Sequence, residues 1–183
     1  MGFNRQRLVA ALMLLNLGWI VGCDGNTPLM KAVIDDNQIA VEKMLVDGQP
    51  IDQTNRYGWT PLMHAARQGN VDMIQLLLDR GANPNASDEN GRTPLIKAVF
   101  AGFKEAAQLL LDRGADINRS DKSGRTALHW AVARGELESI KLLVERGADA
   151  RAKTAEGLTA KMLALQDGDP DLINTLEQLG IKQ

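Results

Sequence analysis

Beyond residue 24 the apolar positions recur at helical spacing in short, evenly separated segments. Ile74-Leu77-Leu78, Ala107-Leu110-Leu111 and Ile140-Leu143-Val144 each fall at i, i+3, i+4, which predicts a helix with one buried stripe. Thr27-Pro28, Thr60-Pro61 and Thr93-Pro94 open further, shorter helices. Thr caps the orphan N–H groups of a helix start, and Pro is tolerated at the first helical position. Gly81, Gly114 and Gly147 follow each stripe, where a helix ends on a left-handed residue. The predicted unit is helix, tight turn, helix, then a polar turn leading to the next Gly-x-Thr.

The unit repeats without insertion. Gly25, Gly58, Gly91, Gly124 and Gly157 are spaced by 33 residues, as are Thr27, Thr60, Thr93, Thr126 and Thr159. The same spacing holds for Ala32, Ala65, Ala98, Ala131 and Ala164, and for Gly48, Gly81, Gly114, Gly147 and Gly180. Four columns in five copies define repeats over about 24–54, 55–87, 88–120, 121–153 and 154–183. The Ala column lets the first helices of adjacent repeats approach closely.

Residues 1–23 have a different pattern. Arg5 and Arg7 precede a run from Leu8 to Ile20 in which only Asn16 is polar. The run is short for a membrane span, which needs about 20 apolar residues, and has the layout of a secretory signal. It ends Ile20-Val21-Gly22-Cys23, which resembles a bacterial lipobox. That resemblance implies a signal peptide over 1–22 and lipidation of Cys23: the thiol takes a diacylglyceryl group, and cleavage before Cys23 frees an amine for further acylation. Cys23 is the only Cys in the chain. Asp24 follows it; in enteric bacteria an Asp there resembles a signal for retention in the inner membrane. Trp19 leaves with the signal. The expected location is the bacterial envelope, on the periplasmic side.

The stretches Gly58-Trp59-Thr60-Pro61-Leu62, Gly81-Ala82-Asn83-Pro84-Asn85, Gly114-Ala115-Asp116-Ile117-Asn118 and Gly147-Ala148-Asp149-Ala150 resemble the ankyrin repeat. The likeness covers 24–183. It implies an all-α solenoid of five helix-turn-helix repeats with short β-turn fingers, and a single ankyrin-repeat domain over 23–183. Of the motif's usual His only His129 is in place; Met30, Met63 and Ile96 stand at the other positions. The end repeats deviate as caps. Lys43 replaces Leu76, Leu109 and Leu142, Asp36 replaces Gly69, Gly102 and Gly135, and repeat 5 carries Lys161, Thr175 and Glu177 at otherwise apolar positions. A solenoid needs polar outer faces on its end repeats, so both ends are expected to be polar.

Composition changes this picture little. One Cys and two His exclude a disulfide framework and a Cys₂His₂ or Cys₄ zinc site. The formal charge is −2; losing Arg5 and Arg7 from 21 basic residues leaves 19 against 23 acidic, or −4. Nucleic-acid binding expects a basic domain, so none is assigned. No phosphate loop, nucleophile elbow or zinc-protease motif appears. The chain is expected to be non-enzymatic, with no cofactor and no metal.

In the ankyrin family the fingers and first helices line a concave face that binds partners. Carried over, those positions are Arg56, Tyr57, Trp59, Arg67 and Gln68 in repeat 2, and Glu89, Asn90, Arg92, Phe100 and Ala101 in repeat 3. Repeat 4 contributes Lys122, Ser123, Arg125, Ala133 and Arg134, and repeat 5 Glu156 and Leu158. Aromatics are only 4% of the chain, yet Tyr57, Trp59 and Phe100 fall here with Arg56, Arg67, Arg92, Arg125 and Arg134. Tyr, Trp and Arg dominate binding hot spots. These sites are expected to lie outside the inter-repeat core, so that Trp59→Ala weakens capture with little loss of stability. Trp130 is expected to pack between repeats.

The expected function is scaffolding or steric occlusion of a protein partner, by a monomer anchored through Cys23. Two narrower roles fit the same features: immunity against a periplasm-acting toxin such as a lipase, and protection of a periplasmic or membrane enzyme. Only Asp24, Gly25 and Asn26 separate Cys23 from Thr27, roughly 10–11 Å when extended. The first repeat would therefore sit close to the headgroups.

Overall fold

A computed structural model describes residues 25–181. The expected signal peptide over 1–22 and the expected lipidation site Cys23 lie outside the described residues. Among the described residues there are ten helices and no strand. They form five hairpins: α1 (Pro28–Ile34) with α2 (Gln38–Val46), α3 (Pro61–Gln68) with α4 (Val71–Asp79), α5 (Pro94–Phe100) with α6 (Lys104–Asp112), α7 (Ala127–Ala133) with α8 (Leu137–Glu145), and α9 (Ala160–Asp167) with α10 (Pro170–Gln178). The odd-numbered helices stack in one layer; α4, α6, α8 and α10 stack in a second. The chain is the all-α repeat solenoid its periodicity predicts. Among the described residues no helix is long and apolar enough to cross a membrane.

Local chemistry sets the helix ends. Thr27, Thr60, Thr93 and Thr159 each accept a hydrogen bond from the backbone N–H three residues on, at 3.2–3.4 Å. At Thr126 the cap is reciprocal: His129 Nδ1 lies 2.9 Å from its Oγ1 and 3.2 Å from its N. Asp36 sits at φ 53°, in the left-handed region that Gly occupies in the next three repeats. Asp tolerates that region better than most residues, and its carboxylate accepts from Asn70 Nδ2 at 2.6 Å.

Two features hold neighbouring repeats in register. The Ala column is buried throughout, from Ala32 to Ala164, and its small side chains let adjacent first helices pack closely. The fingers also bond to one another through backbone: Glu89 N to Tyr57 O at 3.1 Å, Lys122 N to Asn90 O at 2.9 Å, and Ala155 N to Ser123 O at 2.9 Å. This approach explains the finger glycines. Gly58, Gly91 and Gly124 have φ of 71–79°, and a Cβ there would lie 2.7–2.9 Å from the next finger's backbone nitrogen.

The back of the molecule is tied differently. Arg80, Arg113 and Arg146 reach one repeat back to Glu42, Asp79 and Asp112, at 3.3, 2.8 and 2.6 Å. These pairs are exposed, and such pairs contribute roughly 0–1 kcal/mol each.

The ends depart from the expected polar caps. Lys43 is exposed as anticipated, but Ile39 is 83% and Val46 79% exposed beside it. At the other end Met162 and Leu165 are exposed, although Val33, Val99 and Val132 in the Leu165 column are buried. Those residues are covered by the following repeat; among the described residues none follows the fifth.

Gly91→Ala and Gly157→Ala separate the two roles of the finger glycine. Both place a side chain at positive φ, which costs about 1–2 kcal/mol. Only at Gly91 does the new Cβ also meet the next finger, because nothing lies within 4 Å of Gly157. Overpacking should add ~1–3 kcal/mol for Gly91→Ala alone. Equal losses in chemical denaturation would show that finger contact does not set the repeat spacing.

Candidate functional site

Each finger is closed by its first residue. Asn55, Asp88 and Asp121 accept through Oδ1 from the backbone N–H groups two and four residues on, at 2.8–3.0 Å. Thr154 does part of this, accepting from Leu158 N at 3.2 Å. These acceptors are buried, so the second carboxylate oxygen of Asp88 and of Asp121 needs a donor. The donor comes from the first helix nine residues later. Lys97 Nζ reaches Asp88 Oδ2 at 2.7 Å, and Trp130 Nε1 reaches Asp121 Oδ2 at 3.0 Å.

Lys97 is 5% exposed and is therefore part of the core rather than a free cation. Burial pushes its pKa below the ordinary lysine value, while the hydrogen bond and charge of Asp88 work in the opposite direction. Trp59 forms its roof: Lys97 Nζ sits 3.8 Å from the centre of the indole ring. The His64 ring lies 4.9 Å from the same indole, tilted by 52°, and the Arg67 guanidinium lies 5.4 Å from it.

Repeats 3 and 4 use the same parts with the roles exchanged. Here the cation stands on the finger and the ring on the helix: Arg92 lies 4.6 Å from the Trp130 ring centre. Phe100 meets Trp130 edge to face at 5.2 Å and 82°. Arg125 lies 5.1 Å from Trp130, Arg134 5.2 Å from Phe100, and Arg92 6.0 Å from Phe100. Five residues from two repeats form one cluster. Arg56 and Tyr57 make a separate exposed pair at the repeat 2 fingertip, where the guanidinium lies 4.7 Å from the ring and hydrogen-bonds the phenol oxygen.

The structure therefore divides the residues singled out from sequence. Arg56, Tyr57, Arg67 and Arg134 are exposed. So are Gln68, Glu89, Asn90, Lys122, Ser123, Ala133 and Glu156. Trp59, Arg92 and Phe100 are half-buried and engaged with the neighbouring repeat, whereas Arg125 is half-buried but meets Trp130 of its own repeat; Ala101 and Leu158 are also half-buried. Trp59 is a correction to the expectation that it lies outside the inter-repeat core. One of its faces covers a buried ammonium, so Trp59→Ala would uncover Lys97 and lower stability. Trp130 packs against repeat 3, but on the concave side and half-exposed, which adds it to the candidate surface.

Lys97, Asp88 and Asp121 were not legible as site residues, although a signal for them existed. In chain order the finger column reads Asn55, Asp88, Asp121, Thr154, and the helix column nine residues later reads His64, Lys97, Trp130, Leu163. A carboxylate occurs where the helix supplies Lys or an indole N–H, and a hydroxyl where it supplies Leu.

Removing one partner of a buried ion pair costs about 3–5 kcal/mol. Asp88→Asn retains the finger hydrogen bonds but strands Lys97, and should lose stability on that scale. Adding Lys97→His recreates the repeat 2 combination and should recover most of the loss. A double variant as unstable as the single one would refute the pairing.

His129 makes a second, pH-sensitive link. Its Nε2 contacts the Leu158 carbonyl of the next repeat at 3.3 Å. Burial pushes its pKa below the ordinary 6.5, while hydrogen bonds to the Leu158 and Ala152 backbone oppose the shift. The unfolded chain then takes up the proton first, so this contribution is complete above 6.5 and declines as pH falls through the folded value. His129→Met, the residue of repeats 1 and 2, should flatten the decline in melting temperature between about pH 7 and about pH 5. Parallel curves for the two proteins would refute a neutral buried His129.

No curated protein matches the chain. A family model described as ankyrin repeats, in three copies, matches overlapping windows at residues 4–88, 34–121, 81–154 and 113–183. With that match covering nearly its whole length, and with five stacked helix hairpins joined through their fingers, the chain belongs to the ankyrin-repeat family.

Proposed function

We propose that this protein is a non-enzymatic binding module, lipid-anchored through Cys23 on the periplasmic side of a bacterial envelope. It acts by holding or occluding a membrane-proximal protein. Ankyrin repeats are a protein-interaction scaffold, which supports the binding role. The observation that carries the choice of surface is the run of rings and arginines along the concave side of repeats 2 to 4. Aromatic and Arg side chains concentrate there in a chain otherwise poor in aromatics. Arg80, Arg113 and Arg146, by contrast, are paired with acids of the preceding repeat. The lipobox-like Ile20-Val21-Gly22-Cys23 and the three-residue spacer to Thr27 support an anchor that keeps the array near the bilayer.

The test uses the full chain, expressed and solubilised from membranes. Cys23→Ser should abolish lipid labelling and leave a larger precursor; a variant that matures to the same size and stays in the membrane refutes the anchor. Arg56→Ala with Tyr57→Ala removes two exposed side chains and keeps the backbone bond from Glu89 N to the residue 57 carbonyl. It should weaken cross-linking to the membrane partner at least tenfold with little change in melting temperature. Normal cross-linking by this variant would place binding on another face.

A further inference from the structure

Two sets of arginines in the described residues differ in their partners. On the back, Arg80, Arg113 and Arg146 each end on a carboxylate of the preceding repeat. On the front, Arg92, Arg125 and Arg134 end on the Phe100 and Trp130 rings. Among the described residues the one carboxylate within 4 Å of these three is Asp121, 3.9 Å from Arg92 Nε and therefore beyond hydrogen-bond length. Its side chain is 3% exposed, and both of its oxygens are already bonded, to the finger N–H groups and to Trp130 Nε1. Arg92 Nε is buried and makes no hydrogen bond within the described residues.

A guanidinium resting on an aromatic face uses its π surface and keeps its in-plane N–H donors for a planar acceptor. Three such groups with one saturated carboxylate leave an excess of positive charge. The chain as a whole is acidic, so this cluster is a local reversal of sign. An acidic partner is attracted here and repelled by most of the remaining surface, which fixes its orientation on approach.

We infer that the cluster of Arg92, Arg125 and Arg134 on the Phe100–Trp130 pair is the receptor for an acidic segment of the partner protein. Glu or Asp carboxylates of that segment bind edge-on to the ring-stacked guanidiniums. The inference rests on the concave face being the binding face, and it adds the chemistry of what is bound. Carboxylate and guanidinium match in bidentate geometry, and the rings beneath exclude water from one side of each contact. Trp59 and Lys97 are not part of this receptor, because Lys97 is already neutralised by Asp88.

The probe is a fluorescein-labelled hexaglutamate peptide, titrated by anisotropy against the detergent-solubilised full chain at low salt. Hexaglutamine serves as the uncharged control. The glutamate peptide should bind at least tenfold more tightly than the glutamine peptide. Arg125→Glu with Arg134→Glu should remove that preference while the melting temperature holds. Arg119→Glu lies on an exposed connecting turn and lowers net charge without touching the cluster, so it should retain most of the binding. A loss with Arg119→Glu as large as with the cluster variant overturns the proposal in favour of a general charge effect. So does inorganic polyphosphate binding more tightly than hexaglutamate with the same arginine dependence, which would assign the cluster to phosphate groups. No preference for hexaglutamate also overturns it. Partner cross-linking then separates the two readings: if Arg56→Ala with Tyr57→Ala weakens it and the cluster variant does not, the concave face stands and the acidic-segment receptor falls.

Discussion

The fold depends on a backbone approach between fingers that leaves no room for a side chain. At Gly58, Gly91 and Gly124 a Cβ would stand under 3 Å from the next finger's nitrogen, and the chain takes a positive φ there as well. Gly meets both demands. Because the contact is backbone to backbone, its geometry does not vary with the residues around it. Repeats 2 to 5 are joined through the same finger contact, and the columns of the sequence become rows on the surface. The buried Ala column extends the same regularity into the first helices.

Rows of that kind turn a periodic core into a variable surface. The positions flanking the finger glycine and the outer positions of the first helix are free of the packing pattern. The chain uses them to alternate cation and ring. In repeats 2 and 3 the ring is on the finger at Trp59 and the cation on the helix at Lys97. In repeats 3 and 4 the cation is on the finger at Arg92 and the ring on the helix at Trp130. The outcomes differ because burial differs. Lys97 is enclosed and must be neutralised, so Asp88 answers it and the pair belongs to the framework. Arg92, Arg125 and Arg134 remain at least partly in solvent, where charge can persist without an internal partner.

The two ends show what stacking does when it stops. Met162 and Leu165 occupy columns that are buried in earlier repeats, and they are exposed only because no described repeat lies over them. At the first repeat, Ile39 and Val46 stand exposed where later repeats carry Asp72 and Glu105, or Asp79 and Asp112. The pattern of polar substitutions at Lys43 and Lys161 was legible in the chain, but the apolar residues beside them were not read as exposed.

The sequence by itself determined the repeat length, the number of repeats, the Thr starts of the first helices, the Gly after each second helix and the apolar stripes of the core. Those follow from local rules: Thr before Pro, Gly after a stripe, and apolar spacing of three and four. It also located the surface rows, because an uninterrupted 33-residue period maps directly onto stacked positions. What it did not determine is which residues of those rows are free. Trp59 and Lys97 are 38 positions apart and Arg92 and Trp130 likewise, so their pairing crosses one repeat and shifts by five. Each contact depends on where one repeat's finger meets the next repeat's helix. Only the stacked structure decides that Lys97 is sealed beneath an indole while Arg92, Arg125 and Arg134 stay at least partly in solvent, because burial belongs to the neighbours and not to the residue.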